Sequence, residues 1–109
     1  MKIVNREVSG YVEISLSGRL DTNTSKELEN VLMDVINNGN VNLIMNLSEL
    51  TYLSSSGLRV FLLTAKLLDA KGFRLNLIEV APFIREVFDI AGFGTIFNFH
   101  STIDDIINC

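Results

Sequence analysis

Tyr52-Leu53-Ser54-Ser55-Ser56-Gly57-Leu58-Arg59-Val60 sets three hydroxyls between a strand-like run and a helix-like run. Both flanks are apolar, so the hydroxyls stand where a strand ends and a helix begins. A strand that hands over to a helix implies a crossover and a parallel strand beyond it. Open α/β sheets carry their functional groups at this junction, at the carboxyl ends of strands. A helix start also offers unpaired N–H groups and a positive dipole end.

Outward from this stretch the same pattern repeats. Upstream, Val41-Asn42-Leu43-Ile44-Met45-Asn46-Leu47 is apolar enough for a central strand, and Ser48 to Leu53 is expected to connect it to the serines. Before it, Leu28, Val31, Leu32, Val35 and Ile36 fall at helical spacing, and Asn38-Gly39-Asn40 ends that helix. Gly18 to Ser25 interrupts the pattern ahead of the helix and supplies cap candidates. Tyr11 to Ser17 alternates, with Val12, Ile14 and Leu16 on one face and Glu13, Ser15 and Ser17 on the other. Val4 to Val8 is a further strand, and Ser9-Gly10 joins the two as a hairpin.

Downstream, Leu58, Phe61, Leu62, Ala65 and Leu68 predict one helix face, and Gly72 stops the helix. Phe73 to Ile78 alternates as a fourth strand. Pro82 opens a third helix marked by Phe83, Val87, Phe88 and Ala91, and Gly92 ends it. Thr95 to Phe99 is a short extended piece. Ser101 with Asp104 starts a last short helix that buries Ile103, Ile106 and Ile107. The order ββ-α-β-α-β-α-α predicts one α/β domain over residues 1–109. Its mixed sheet has an N-terminal hairpin and packed helices.

Composition limits the partners. The chain has 109 residues, 48% hydrophobic and 20% charged, which suits a single domain with a real core. The net charge is −4 and no Lys or Arg run occurs, so neither nucleic acid nor an acidic membrane surface is an expected partner. No apolar run approaches the ~20 residues needed to span a bilayer. The start lacks the apolar core of a signal peptide. One cysteine, Cys109, cannot form an internal disulfide and is read as a tail thiol. A cytoplasmic protein is expected.

Enzymatic readings find little support. A serine nucleophile needs a base, yet the one histidine, His100, lies far along the chain and no Gly-x-Ser-x-Gly surrounds the serines. One His and one Cys make no transition-metal site, and no Gly-rich phosphate loop is present. Gly92-Phe93-Gly94 reads as a helix stop, and Asp104-Asp105 as first-turn acids. Neither metal nor cofactor is expected. For the serine cluster two readings stand. One hydroxyl caps the helix while the others fill a loop. Alternatively, one accepts a phosphoryl group, adding about −1.5 to −2 charge. The fold tolerates that charge at a helix start, whereas a docked partner meets bulk and repulsion. Composition does not decide between them.

The residues also carry a resemblance. Gly18-Arg19-Leu20-Asp21 follows a hairpin. Met45-Asn46-Leu47-Ser48 comes next, then Tyr52 to Val60. Together, in this element order, they resemble the STAS domain family across essentially the whole chain, specifically the bacterial anti-sigma factor antagonists. The resemblance implies a binding module, not an enzyme. Such proteins capture an anti-sigma factor that is also a serine kinase, and so free a sigma factor for transcription. Phosphorylation of one serine releases the complex, and a phosphatase resets it. The family motif, Asp-Ser-Ser/Ala-Gly-Leu, puts the acceptor at Ser55. Ser54 stands at the motif's Asp, and Asn46 stands where an Asp is usual at the end of the third strand. Both changes lessen repulsion against a phosphate at Ser55. Asp21 keeps the third acid. Ser54, Ser56 and Gly57 would shape the loop, with Asp21, Thr22 and Asn23 beside it, and Arg59 and Lys66 would extend the partner surface along the second helix. A constitutive scaffold in a larger signalling or transport assembly, without the phosphoswitch, is the alternative.

Overall fold

A computed structural model describes residues 1–108; Cys109 lies outside the described residues. The chain runs β1 (Lys2–Val8), β2 (Tyr11–Leu20), α1 (Thr22–Asn37), β3 (Leu43–Leu53), α2 (Ser55–Asp69), β4 (Asn76–Ile78), α3 (Pro82–Ile90), β5 (Asn98–His100) and α4 (Asp104–Ile107). The five strands form one sheet in chain order, β1-β2-β3-β4-β5. Among the described residues only β1 and β2 are antiparallel. Ser9 and Gly10 join them with φ of 51° and 85°, the positive pair that a two-residue hairpin turn requires.

From β2 to β5 each crossover steps one strand in the same direction. Crossovers of one hand then place their helices on one face. Accordingly, Leu28 and Leu32 of α1, Val60 and Phe61 of α2, and Ile84 and Phe88 of α3 share one core with Ile14, Met45 and Leu77 of the sheet. Phe61, Phe88 and Phe97 meet edge to face there, with centroids 5.3 to 6.3 Å apart. The short α4 covers the other face, setting Ile106 on Ile44 and Ile78.

Several expectations are corrected. Residues 48–53 are not a connection, because β3 continues to Leu53. Its register against β2 shifts twice, between Ser15 and Ser17 and between Gly18 and Arg19. Each bulge adds a residue and moves the inward position by one. Inward residues therefore fall at Leu43, Met45 and Leu47, then at Leu50 and Leu53. The period of two is lost while the strand persists. The fourth strand begins at Asn76 rather than Phe73. Phe73 N–H instead donates to Leu68 O at 2.9 Å, closing α2 over Gly72. The extended piece predicted over 95–99 is a strand over Asn98–His100, because Ile96 N–H turns back to Phe93 O. The last helix begins at Asp104, and it is Thr102 N–H that donates to the Asp105 carboxylate.

The buried face of α2 is also rotated from the predicted one. Gly57, Val60, Phe61, Thr64, Ala65 and Leu68 are buried, while Leu58 and Leu62 are only half-buried. Thr64 sits at full burial because its hydroxyl donates to Val60 O at 2.8 Å. A small polar residue and a glycine lie on the core face, and Leu58 and Leu62 are left at its rim.

Candidate functional site

The last rung between β2 and β3 builds the site. Ser54 N–H donates to Leu20 O at 2.9 Å, so two strand ends finish level with each other. The next residue of each chain segment starts a helix. Asp21 caps α1, and Ser54 caps α2. The amino ends of both helices thus open at one end of the sheet.

Asp21 is held by a capping box. Its carboxylate accepts from Asn23 N–H at 3.0 Å and Thr24 N–H at 3.1 Å, and the Thr24 hydroxyl accepts from Asp21 N–H at 2.9 Å. The Thr24 N–H, above all, holds the carboxyl below its usual range. Burial, the next largest effect, opposes it, and the Thr24 hydroxyl, the Asn23 N–H and the nearby Arg19 each add a smaller lowering. Thr22 and Asn23 are exposed in the first turn of α1. The Thr22 hydroxyl lies 3.4 Å from that of Ser56, joining the two helix starts.

The three serines are not equivalent. Ser54 Oγ accepts from Gly57 N–H at 3.2 Å and is the cap. Ser56 is half-buried toward Thr22. Ser55, the first helical residue, is exposed. Gly57 is buried, and its role is internal. A Cβ there would stand 2.8 Å from Leu20 and Leu53 side-chain atoms, so only glycine lets α2 start this close to the strand ends. Arg59 and Lys66 are exposed farther along α2. The sequence-predicted residues therefore gather at one end of the sheet, with Lys66 at the distant part of the helix.

Asn46 is placed otherwise than the sequence suggested. It lies in the middle of β3, at the first bulge, rather than at the strand end. Its Nδ2 donates to Glu13 Oε2 at 3.2 Å, and its Oδ1 accepts from Ser48 N–H at 3.0 Å. The amide thus takes up an N–H beside the bulge and binds an acid from β2. That acid, Glu13, is 3% exposed and pairs with Arg6 of β1 directly across the hairpin. A carboxylate therefore does stand beside position 46, supplied by the neighbouring strand and matched by a guanidinium.

Sequence reasoning passed over Arg19 and Tyr52. They oppose each other in the β2–β3 register, and the guanidinium lies 4.1 Å from the ring centroid. Both are exposed at the site's end of the sheet. Their pairing could be foreseen only by extending β3 to Leu53. His100, by contrast, belongs to β5, two strands from β3, and lines a separate cleft with Glu79 and Arg85. The arrangement offers an accessible hydroxyl on a helix start, with flanking polar and cationic side chains for a protein surface to grip.

Comparison with known proteins identifies the family and the fold. A family model described as STAS domain matches residues 2–106. The chain is 37% identical over 97 residues to BtrV of Bordetella bronchiseptica, which is named as an anti-sigma factor antagonist; the match covers 89% of this chain and 84% of BtrV. It is 34% identical over 82 residues to the anti-sigma-B factor antagonist of Staphylococcus epidermidis, covering 75% and 76%. Its fold is similar to the Bacillus anti-sigma factor antagonist SpoIIAA in the unphosphorylated form, with a TM-score of 0.78 at 24% identity over 98% of this chain and 96% of that one. The phosphorylated form of SpoIIAA matches equally well, with a TM-score of 0.77 at 24% identity over 98% of each chain.

Proposed function

Because the chain belongs to the STAS domain family, we propose that it is a cytoplasmic anti-sigma factor antagonist switched at Ser55. The unphosphorylated chain binds an anti-sigma factor with serine kinase activity and thereby frees a sigma factor. The kinase then transfers a phosphoryl group from its ATP to the Ser55 hydroxyl. Ser55 Oγ attacks the γ-phosphorus, the bond to the bridging oxygen breaks, ADP leaves, and the hydroxyl proton passes to the kinase or to water. A phosphatase hydrolyses the ester. The chain itself performs no chemistry.

The observation that carries this reading is the division of labour between neighbours. Ser54 caps α2, and Ser55 is exposed beside it. Modifying Ser55 therefore leaves the cap in place. The phosphate would sit at a helix start, where a negative charge is worth about 0.3–1 kcal/mol. The fold keeps its shape, while a partner packed on this surface meets a new charge. SpoIIAA has been solved in both forms, so a related fold carries such a group.

The test is intact mass after incubation with ATP and an anti-sigma factor kinase that the unphosphorylated chain captures. Wild type gains one phosphate and Ser55→Ala gains none. No gain by wild type removes the switch. Undiminished partner binding by Ser55→Asp would identify a constitutive scaffold instead.

A further inference from the structure

Ser55, Arg59, Leu62 and Lys66 recur along α2 at spacings of four, three and four residues. They therefore share one helix face, which rises about 16 Å from first to last. At its far end the face opens into a cleft of about 360 Å³. Leu62, Phe73 and Ile96 give it apolar lining, and Lys66, Asp69 and Arg74 give it charge. Phe73 remains 38% exposed, a large ring that gains by being covered. Arg74 is held in place, its Nη2 donating to Thr95 O at 2.6 Å.

The charge here runs against that of the whole molecule. The net charge is −4. Yet Arg59, Lys66, Lys71 and Arg74 cluster on or just after α2, and among the described residues none has a carboxylate within ion-pair distance. Asp69 is the one acid among the cleft residues. An apolar recess with unpaired cations suits a segment that brings an apolar side chain and carboxylates together.

We propose that this cleft is a second docking point for the same partner, occupied by an acidic segment carrying one large apolar side chain. The proposal rests on the reading of the chain as an antagonist switched at Ser55. The apolar side chain covers Leu62, Phe73 and Ile96, and flanking carboxylates meet Lys66 and Arg74. Asp69 repels a carboxylate on its own side and so fixes the direction in which the segment lies. Screening separates the two points. The Debye length is ~8 Å at physiological salt, so a phosphate at Ser55 lies about two such lengths away. Phosphorylation then removes one contact and leaves the cleft competent.

Two measurements test this. First, the ¹⁵N-labelled chain is titrated with the peptide acetyl-Glu-Glu-Phe-Glu-Asp-amide and with its lysine counterpart. The acidic peptide shifts the amides of Leu62, Lys66, Phe73, Arg74 and Ile96 in wild type and in Ser55→Asp alike. Lys66→Glu with Arg74→Glu, both at exposed positions, weakens it about tenfold. Shifts elsewhere, no shifts at millimolar peptide, or equal shifts from the lysine peptide overturn the proposal. Second, the same double variant binds the captured kinase about tenfold more weakly, yet still gains one phosphate when the kinase is saturating. Unchanged affinity overturns it. A kinase that neither binds nor modifies wild type refutes the antagonist reading instead, and the peptide titration then decides the cleft alone.

Discussion

At the scale of single residues, adjacent side chains in the serine cluster do different jobs, and each job makes its own prediction. Ser54→Ala removes the cap of α2 and should lower stability by about 1 kcal/mol in denaturant unfolding. Ser55 should still be phosphorylated, because its exposure does not depend on that cap. Gly57→Ala should cost about 1–3 kcal/mol, since the added methyl meets Leu20 and Leu53 before the helix can shift. A thermal melt of Gly57→Ala that matches wild type would contradict this packing. Asp21 sets a pH dependence. Its folded pKa lies below the ordinary carboxyl value, so the unfolded chain binds its proton first as pH falls. The contribution is present in full above the unfolded value and fades as pH drops through the folded one. Melting temperature should therefore fall less steeply below pH 4 in Asp21→Asn than in wild type. Much of this site was legible in the sequence. Hydroxyls between a strand and a helix must lie near a cap, and the motif singled out Ser55. The part that was not legible is which hydroxyl caps, because that depends on the backbone angle at Ser54.

At the scale of elements, the decisive feature is the bulged third strand. Bulges convert an inward period of two into spacings of three, and a strand with that spacing resembles a loop on paper. The alternation that marks a strand is absent from residues 48–53 for that reason, and Tyr52 cannot be placed from it. The fourth strand is shorter than its alternation suggests for the converse reason: Phe73 to Ile78 alternates, but the first N–H of that run is already engaged in ending α2. Asn46 belongs at this scale, since its amide joins the first bulge to β2. Asn46→Ala leaves Ser48 N–H and Glu13 short of a partner, and should cost about 1–3 kcal/mol. Because this bulge sets where β3 ends, the same variant should also slow phosphorylation of Ser55 under conditions where it stays folded. Equal phosphorylation rates would show that the strand end is fixed by α2 alone.

At the scale of the molecule, one core holds three crossover helices to one face, and the proposed switch at Ser55 would add charge without entering it. On the proposed function, phosphorylation of Ser55 would take the net charge from −4 to about −6, at a surface residue, so the far-ultraviolet circular dichroism of both forms should coincide while partner affinity differs. A core change behaves in the opposite way. Phe88→Ala opens the aromatic cluster and should cost about 3–5 kcal/mol, with binding lost only in proportion to unfolding. The antiparallel first strand has a practical consequence for such measurements. β1 runs back along β2, so Lys2 lies opposite Ser17, and a side chain on Gly18 would be 3.7 Å from the Met1 backbone. Anything fused ahead of Met1 therefore emerges within a few residues of Asp21 and the serines. An amino-terminal affinity tag or surface-immobilised amine would shade the docking surface and mimic a weak partner-binding defect. α4 lies on the face of the sheet away from the crossover helices, so a tag carried there starts on the side away from α2.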